Sequence, residues 1–112
     1  MIAGATIGVG SHTRSHPWLT ALAPEEQREE ICGSVDRVEA LTGYRPRTFA
    51  YPYGHSDEQS RRLVAEAKFA IGCLTGDRGV SRRSRCVALP RVRIGDWSAA
   101  ELEGVLTNLR PA

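Results

Sequence analysis

Two histidines four residues apart, His12 and His16, stand in the run Gly10-Ser11-His12-Thr13-Arg14-Ser15-His16-Pro17. Imidazole nitrogens suit zinc, and two of them can converge on one ion if the backbone between them makes a single turn. Spacing alone leaves a second reading open, a pair of solvated surface side chains. The chain has three histidines, so two of the three fall in this one loop. A zinc site with two protein ligands is incomplete, because catalytic sites use three plus a water. Nothing marks a local carboxylate: Asp57, Asp77 and Asp96 lie in other loops or at helix starts.

A second cluster, Phe49-Ala50-Tyr51-Pro52-Tyr53-Gly54, reads as a strand ending in a rigid proline turn with aromatics at its edge. Core and turn packing would account for it. The functional alternative is that backbone N–H groups after Pro52 point into a site and stabilise an oxyanion. His55 follows directly and reads as a solvated loop residue, since turns favour polar side chains.

The elements that must hold these loops alternate. Ile7 and Val9 read as a short strand ending near Gly10 and Ser11. Pro24 with Glu25 and Glu26 starts a helix, with Ile31, Val35, Val38 and Leu41 as its apolar stripe and Gly43 as its stop. Gly33 inside it costs on the order of 1 kcal/mol relative to alanine. Residues 48–51 form a strand, and Ser56 with Gln59 makes a capping box for a second helix carrying Leu63, Val64 and Ala67. Residues 69–74 read as a buried strand and 76–85 as a loop. Strand is expected again at 87–89 and 92–94. Ser98 with Glu101 caps a last helix bearing Leu102, Val105, Leu106 and Leu109 on one side. This alternation predicts an α/β fold with a parallel sheet. Chemistry in such folds sits where strands give way to loops at their C-terminal ends, and both unusual loops fall there.

Composition narrows the classes. The 112 residues make one small domain or a piece of a larger one, and the 41% apolar and 25% charged shares are those of a globular protein. A net charge of +2 is too weak a bias to argue for nucleic acid. No run approaches a membrane span, and residues 1–7 lack the basic start of a signal peptide. Cys32, Cys73 and Cys86 contain no C-x-x-C pair, which speaks against a zinc knuckle. They read as small interior hydrophobes, with one disulfide open to an exported chain.

Together the two loops resemble the polysaccharide deacetylases of the NodB-homology type, carbohydrate esterase family four. Residues 11–17 look like that family's metal-binding motif, and 49–54 like the motif forming one wall of its groove. The resemblance runs from about Gly4 to Leu109. It implies a partial distorted (β/α) barrel, with residues 1–112 as a single partial domain. It also implies a metal-dependent hydrolase that removes N-acetyl groups from a polysaccharide or oligosaccharide. A divalent metal, commonly zinc, would be held by His12, His16 and an aspartate. A second aspartate would act as general base while water attacks the acetamide carbonyl. The Tyr53 backbone N–H would complete the oxyanion site. Family members usually act on cell-envelope or extracellular polymers.

The sequence departs from that pattern in several places. The family's paired aspartates lie upstream of the histidine motif, and this chain has only eleven residues before His12. The late Leu-x-x-His motif is not found either, and residues 1–5 look like the tail of a helix. The missing N-terminal half is then a candidate partner, and an inactive or glycan-binding remnant is the alternative function. Ala50 stands where many members carry an arginine that orients the base, and Arg91, at a neighbouring strand end, is the candidate for that role. Asp96-Trp97 resembles a weaker motif whose tryptophan lines the acetyl pocket; plain core packing is the other reading. Arg82, Arg83 and Arg85 read as a solvated loop.

Overall fold

The computed structural model describes residues 7–111. The helix tail expected at residues 1–5 lies outside them.

Helix α1, Pro24–Thr42, begins with proline where no backbone donor is needed. The Glu26 carboxylate reaches back to accept the Ala23 N–H at 3.2 Å. It stops at Gly43, whose φ of 80° is a left-handed cap. Its buried face is Gln27, Ile31, Ser34 and Val35. The expected stripe fails at its far end, where Val38 is only half-buried and Leu41 is 53% exposed. Helix length explains this. Nineteen residues span about 28 Å, whereas the three-residue strands beneath cover about 10 Å.

Helix α2, Glu58–Glu66, buries Leu63 and Val64. Its cap is Asp57 rather than Ser56: the Ser60 N–H donates to Asp57 Oδ1 at 2.7 Å and the Asp57 N–H to Ser60 Oγ at 2.9 Å. An aspartate one residue later outcompetes the serine because its carboxylate also meets the positive end of the helix. The helix runs out through Ala67 into Lys68, a left-handed residue with φ 64°.

The strands pair in parallel and in chain order. Ser11 bridges Phe49, its N–H donating to the Thr48 carbonyl at 2.8 Å and its carbonyl accepting the Ala50 N–H at 2.9 Å. Strand β1, Thr48–Ala50, pairs with β2, Ile71–Cys73, in the register Thr48 to Ile71. Cys73 then bridges Leu89, and Gly76 bridges Val92. Ser11, β1 and β2 lie side by side with α1 and α2 as the crossovers between them, and the bridge to Leu89 follows after a loop, so the chain forms an arc of a barrel wall. The expected α/β architecture, a partial barrel, is what is found.

Regular pairing is shorter than expected. No extended strand is assigned at residues 7–9, residues 69 and 70 precede β2, and 86–88 form a 3-10 turn, Cys86–Ala88, before the bridge at Leu89. The loop at 76–85 contains a two-residue strand, β3 (Arg78–Gly79), paired in parallel with β4 (Arg110–Pro111). The core is Leu19, Ile31, Val35, Phe49, Tyr51, Leu63, Val64 and Phe69. Helix α3, Ala99–Thr107, starts at Ser98 with the expected Glu101 partner but buries no residue. The cysteines are free, and none is fully buried, against expectation.

Candidate functional site

The histidine loop leaves the sheet at Ser11 and is fixed from below by α1. The Ser34 hydroxyl donates to the Ile31 carbonyl at 2.6 Å, so the buried contact between the two serines uses the Ser11 hydroxyl as donor. Glu30, one turn earlier, accepts the N–H groups of Arg14 and Ser15, each at 2.9 Å, and the Ser15 hydroxyl at 2.6 Å. Partial burial pushes its pKa up, but these hydrogen bonds and the Arg14 charge outweigh that and hold it below the usual carboxylate value. The Arg14 stem lies over Gly33, where an added Cβ would come within 2.4 Å of Arg14 Cδ. This close approach accounts for the glycine inside α1.

Within the loop, the Thr13 hydroxyl donates to the His12 carbonyl at 2.5 Å and accepts the His16 N–H at 3.1 Å. Thr13 and His16 both take left-handed φ, 67° and 59°. Two such residues in one short loop are backbone strain of the kind held in place by surrounding contacts, here those of Glu30 and Thr13. The tight turn brings the two rings together, with centroids 4.7 Å apart and planes at 68°. His12 Nδ1 lies 2.6 Å from the Ala50 carbonyl, which can only accept, so Nδ1 carries the proton. Nε2 of His12 is thereby left as the lone-pair nitrogen, the arrangement that metal-ligating histidines use.

The proline turn stands beside this pair. Tyr51 is buried, and its hydroxyl donates to the Val87 carbonyl at 2.6 Å, with burial raising its pKa. Pro52–Gly54 then forms a 3-10 turn closed by bonds from Gly54 N–H to the Tyr51 carbonyl and from His55 N–H to the Pro52 carbonyl. Those two bonds leave the Tyr53 N–H outside the turn's ladder. Tyr53 sits at φ 59°, and Gly54, at φ 70°, has Thr75 Oγ1 2.0 Å from where a Cβ would lie. The Tyr53 ring meets His16 edge-on with centroids 4.7 Å apart.

Trp18 was not singled out by its spacing, yet it packs against this turn. Its ring is stacked on Tyr53 at 4.8 Å and tilted on His55 at 4.4 Å. His55 is exposed, as expected of a loop residue, with its ring against the indole. Glu30 was also missed, although it lies on the helix face that carries Gln27, Ile31 and Ser34.

Other expected residues are not joined to the pair. Arg91 Nε donates to the Leu74 carbonyl at 2.9 Å. Trp97 is 36% exposed, which excludes the core reading, and lies beside Glu101, Gly104 and Val105 of α3. Arg85 forms a two-bond ion pair with Glu58 at 3.0 and 3.2 Å. A cavity of about 600 Å³ between the loop and α1, lined by Thr13, Arg14, Asp36 and Arg37, includes neither histidine. Among the described residues, no group of three or more histidine, cysteine or acidic side chains converges as a metal site. Among the described residues, no helix is long and apolar enough to cross a membrane.

A parallel α/β arc with two strained loops at the C-terminal ends of its strands defines the class. The chain matches the family model for polysaccharide deacetylase over residues 1–72 and belongs to that family. It is 40% identical over 53 residues to a peptidoglycan-N-acetylmuramic acid deacetylase of Bacillus subtilis, covering 47% of this chain and 11% of that protein. It is 33% identical over 63 residues to a peptidoglycan-N-acetylglucosamine deacetylase of Bacillus cereus, covering 56% of this chain and 23% of that one. A Streptococcus pyogenes deacetylase solved in complex with acetate superimposes with a TM-score of 0.80 at 25% identity, over 86% of this chain and 43% of that one. The chain thus spans less than half the length of each of these relatives.

Proposed function

We propose that this chain is one partial deacetylase domain, residues 1–112, that acts in the hydrolytic removal of N-acetyl groups from a polysaccharide. Its relatives' substrates, peptidoglycan sugars, support that class. The observation that carries the reading is the convergence of the His12 and His16 rings beside the Tyr53 turn.

The donor set fits a divalent ion. Two imidazole centroids on one tetrahedral zinc stand roughly 5 Å apart, and these are at 4.7 Å. His12 has its Nε2 free because Nδ1–H is committed to Ala50. Nitrogen donors favour zinc over magnesium or calcium. A third ligand and a general base, both carboxylates by the family resemblance, would come from chain outside these residues. A bound zinc supplies Lewis acidity toward the acetamide carbonyl and toward water.

The chain's own residues then do the rest. His12 and His16 would hold the ion, the first oriented by the Ala50 carbonyl. The Tyr53 N–H, left free by the turn, donates to the carbonyl oxygen as negative charge builds on it. Water adds to the carbonyl carbon, the C–N bond breaks as the nitrogen takes up the protons that water gives up, and acetate and a protonated amine leave.

The test is zinc binding by calorimetry alongside acetate release from N-acetylglucosamine oligomers. The expected result is weak zinc binding by this chain, lost in His12→Ala, and no hydrolysis until the carboxylate-bearing segment is supplied. Acetate release by the 112 residues alone, abolished in His12→Ala, would overturn the partial-domain reading. Zinc binding unchanged in His12→Ala would overturn the site.

A further inference from the structure

Resting on that reading, we propose that the ring stack of Trp18 and Tyr53 is a binding subsite for the flat face of a sugar ring, next in the polymer to the one bearing the reacting acetamide. The rings run outward from the histidine pair in unbroken contact. His16 meets Tyr53 at 4.7 Å, and Tyr53 meets Trp18 at 4.8 Å with planes only 27° apart. A surface of this kind begins at the candidate metal site and leads away from it, as a polymer substrate requires.

The hydrophobic core does not use the indole. Trp18 is 46% exposed and Tyr53 53% exposed, and neither belongs to the core cluster. The residue after Trp18, Leu19, is the anchor: it is 1% exposed and opens the short 3-10 turn Leu19–Ala21. Pro17, with its fixed φ, stiffens the other side. The indole is therefore held in place by its neighbours while contributing little to the core itself. Aromatic surface left about half in water beside a candidate site is available to a ligand.

The chemistry of that face selects its ligand. Neither ring carries a fixed charge at neutral pH, so the stack offers no ionic handle to an anionic or cationic polymer. One face of a pyranose presents C–H groups, which pack on the negative face of an aromatic ring. A neutral N-acetylated oligosaccharide meets both conditions.

The experiment titrates the chain with the N-acetylglucosamine tetramer and separately with the monomer, in wild type, Trp18→Ala and Trp18→Phe, with a zinc titration of each. Trp18→Ala should weaken tetramer binding about tenfold and leave the monomer and zinc unaffected, whereas Trp18→Phe should restore most of the loss. A wild-type chain that does not bind the tetramer overturns the proposal, as does equal tetramer binding in Trp18→Ala. Trp18→Phe as weak as Trp18→Ala also overturns it, because an aromatic face would then not be what matters. Should Trp18→Ala not fold, emission from Trp18 in a Trp97→Phe chain decides: a change on adding tetramer supports the subsite, and its absence overturns it. Tetramer binding that depends on Trp18 without any zinc binding would keep the subsite and remove the metal reading, so the two failures are distinguishable.

Discussion

The described residues divide near Gly72, and the two sides are built differently. Before it, Ile31, Phe49, Tyr51, Leu63 and Val64 are almost fully buried, and polar Ser11, Ser34 and Ser60 are buried and hydrogen-bonded with them. From Cys73 to Pro111 not one residue is buried. That second region is attached by backbone bonds such as Leu89 N–H to the Gly72 carbonyl at 2.8 Å and Tyr51 N–H to the Cys73 carbonyl at 3.1 Å. Half-buried Leu74 and Val87 add apolar contact. The family match ends at residue 72, at the same boundary. Both candidate loops belong to the first region. The histidine loop is therefore held by the part with a core, whereas the proline turn also leans on the second region through Cys73, Thr75 and Val87.

The strongest test of this division is Phe49→Ala, which should cost about 3–5 kcal/mol by leaving a cavity among packed rings, measured by urea denaturation. Tyr51→Phe cuts a side-chain tie between the regions and leaves the Val87 carbonyl unpaired. About 1–2 kcal/mol should go, and hydrogen exchange should rise first around Leu89. Glu30→Gln replaces the carboxylate that holds Arg14 and Ser15, at a cost of about 1 kcal/mol. Because the native carboxyl lies below its ordinary value near 4.5, this contribution is complete above that pH. It fades as pH falls through the native value, so the two stability curves should converge in acid. Leu106→Ala, at the opposite extreme, should change stability by no more than about 0.5 kcal/mol. A loss there as large as for Phe49→Ala would mean the second region has a core of its own, and the division would fail.

The sequence made the framework legible and left its fastenings hidden. Pro24, Gly43 and Ser98 with Glu101 marked helix ends correctly because capping is local chemistry. Leu63 and Val64 read as apolar residues of the second helix, and they are the ones it buries. Leu41 and the apolar face of α3 misled, since periodicity reports which residues share a face but not whether anything covers that face. The strand expected at 87–89 closed into a turn, as short apolar runs do when only one neighbour pairs with them. At the candidate site, His12, His16 and Tyr53 were readable from type and spacing. Glu30 and Trp18 were not, because their partners lie 15 and 35 residues away and no local pattern encodes such contacts.

The order of the strands has a consequence for synthesis. Ser11 pairs with β1 and is braced by α1, so everything that shapes the histidine loop has been translated once residue 55 emerges. No later segment has to thread back between Ser11 and Phe49. A nascent chain can therefore assemble its imidazole pair vectorially on the ribosome, with each new strand docking on an edge already formed.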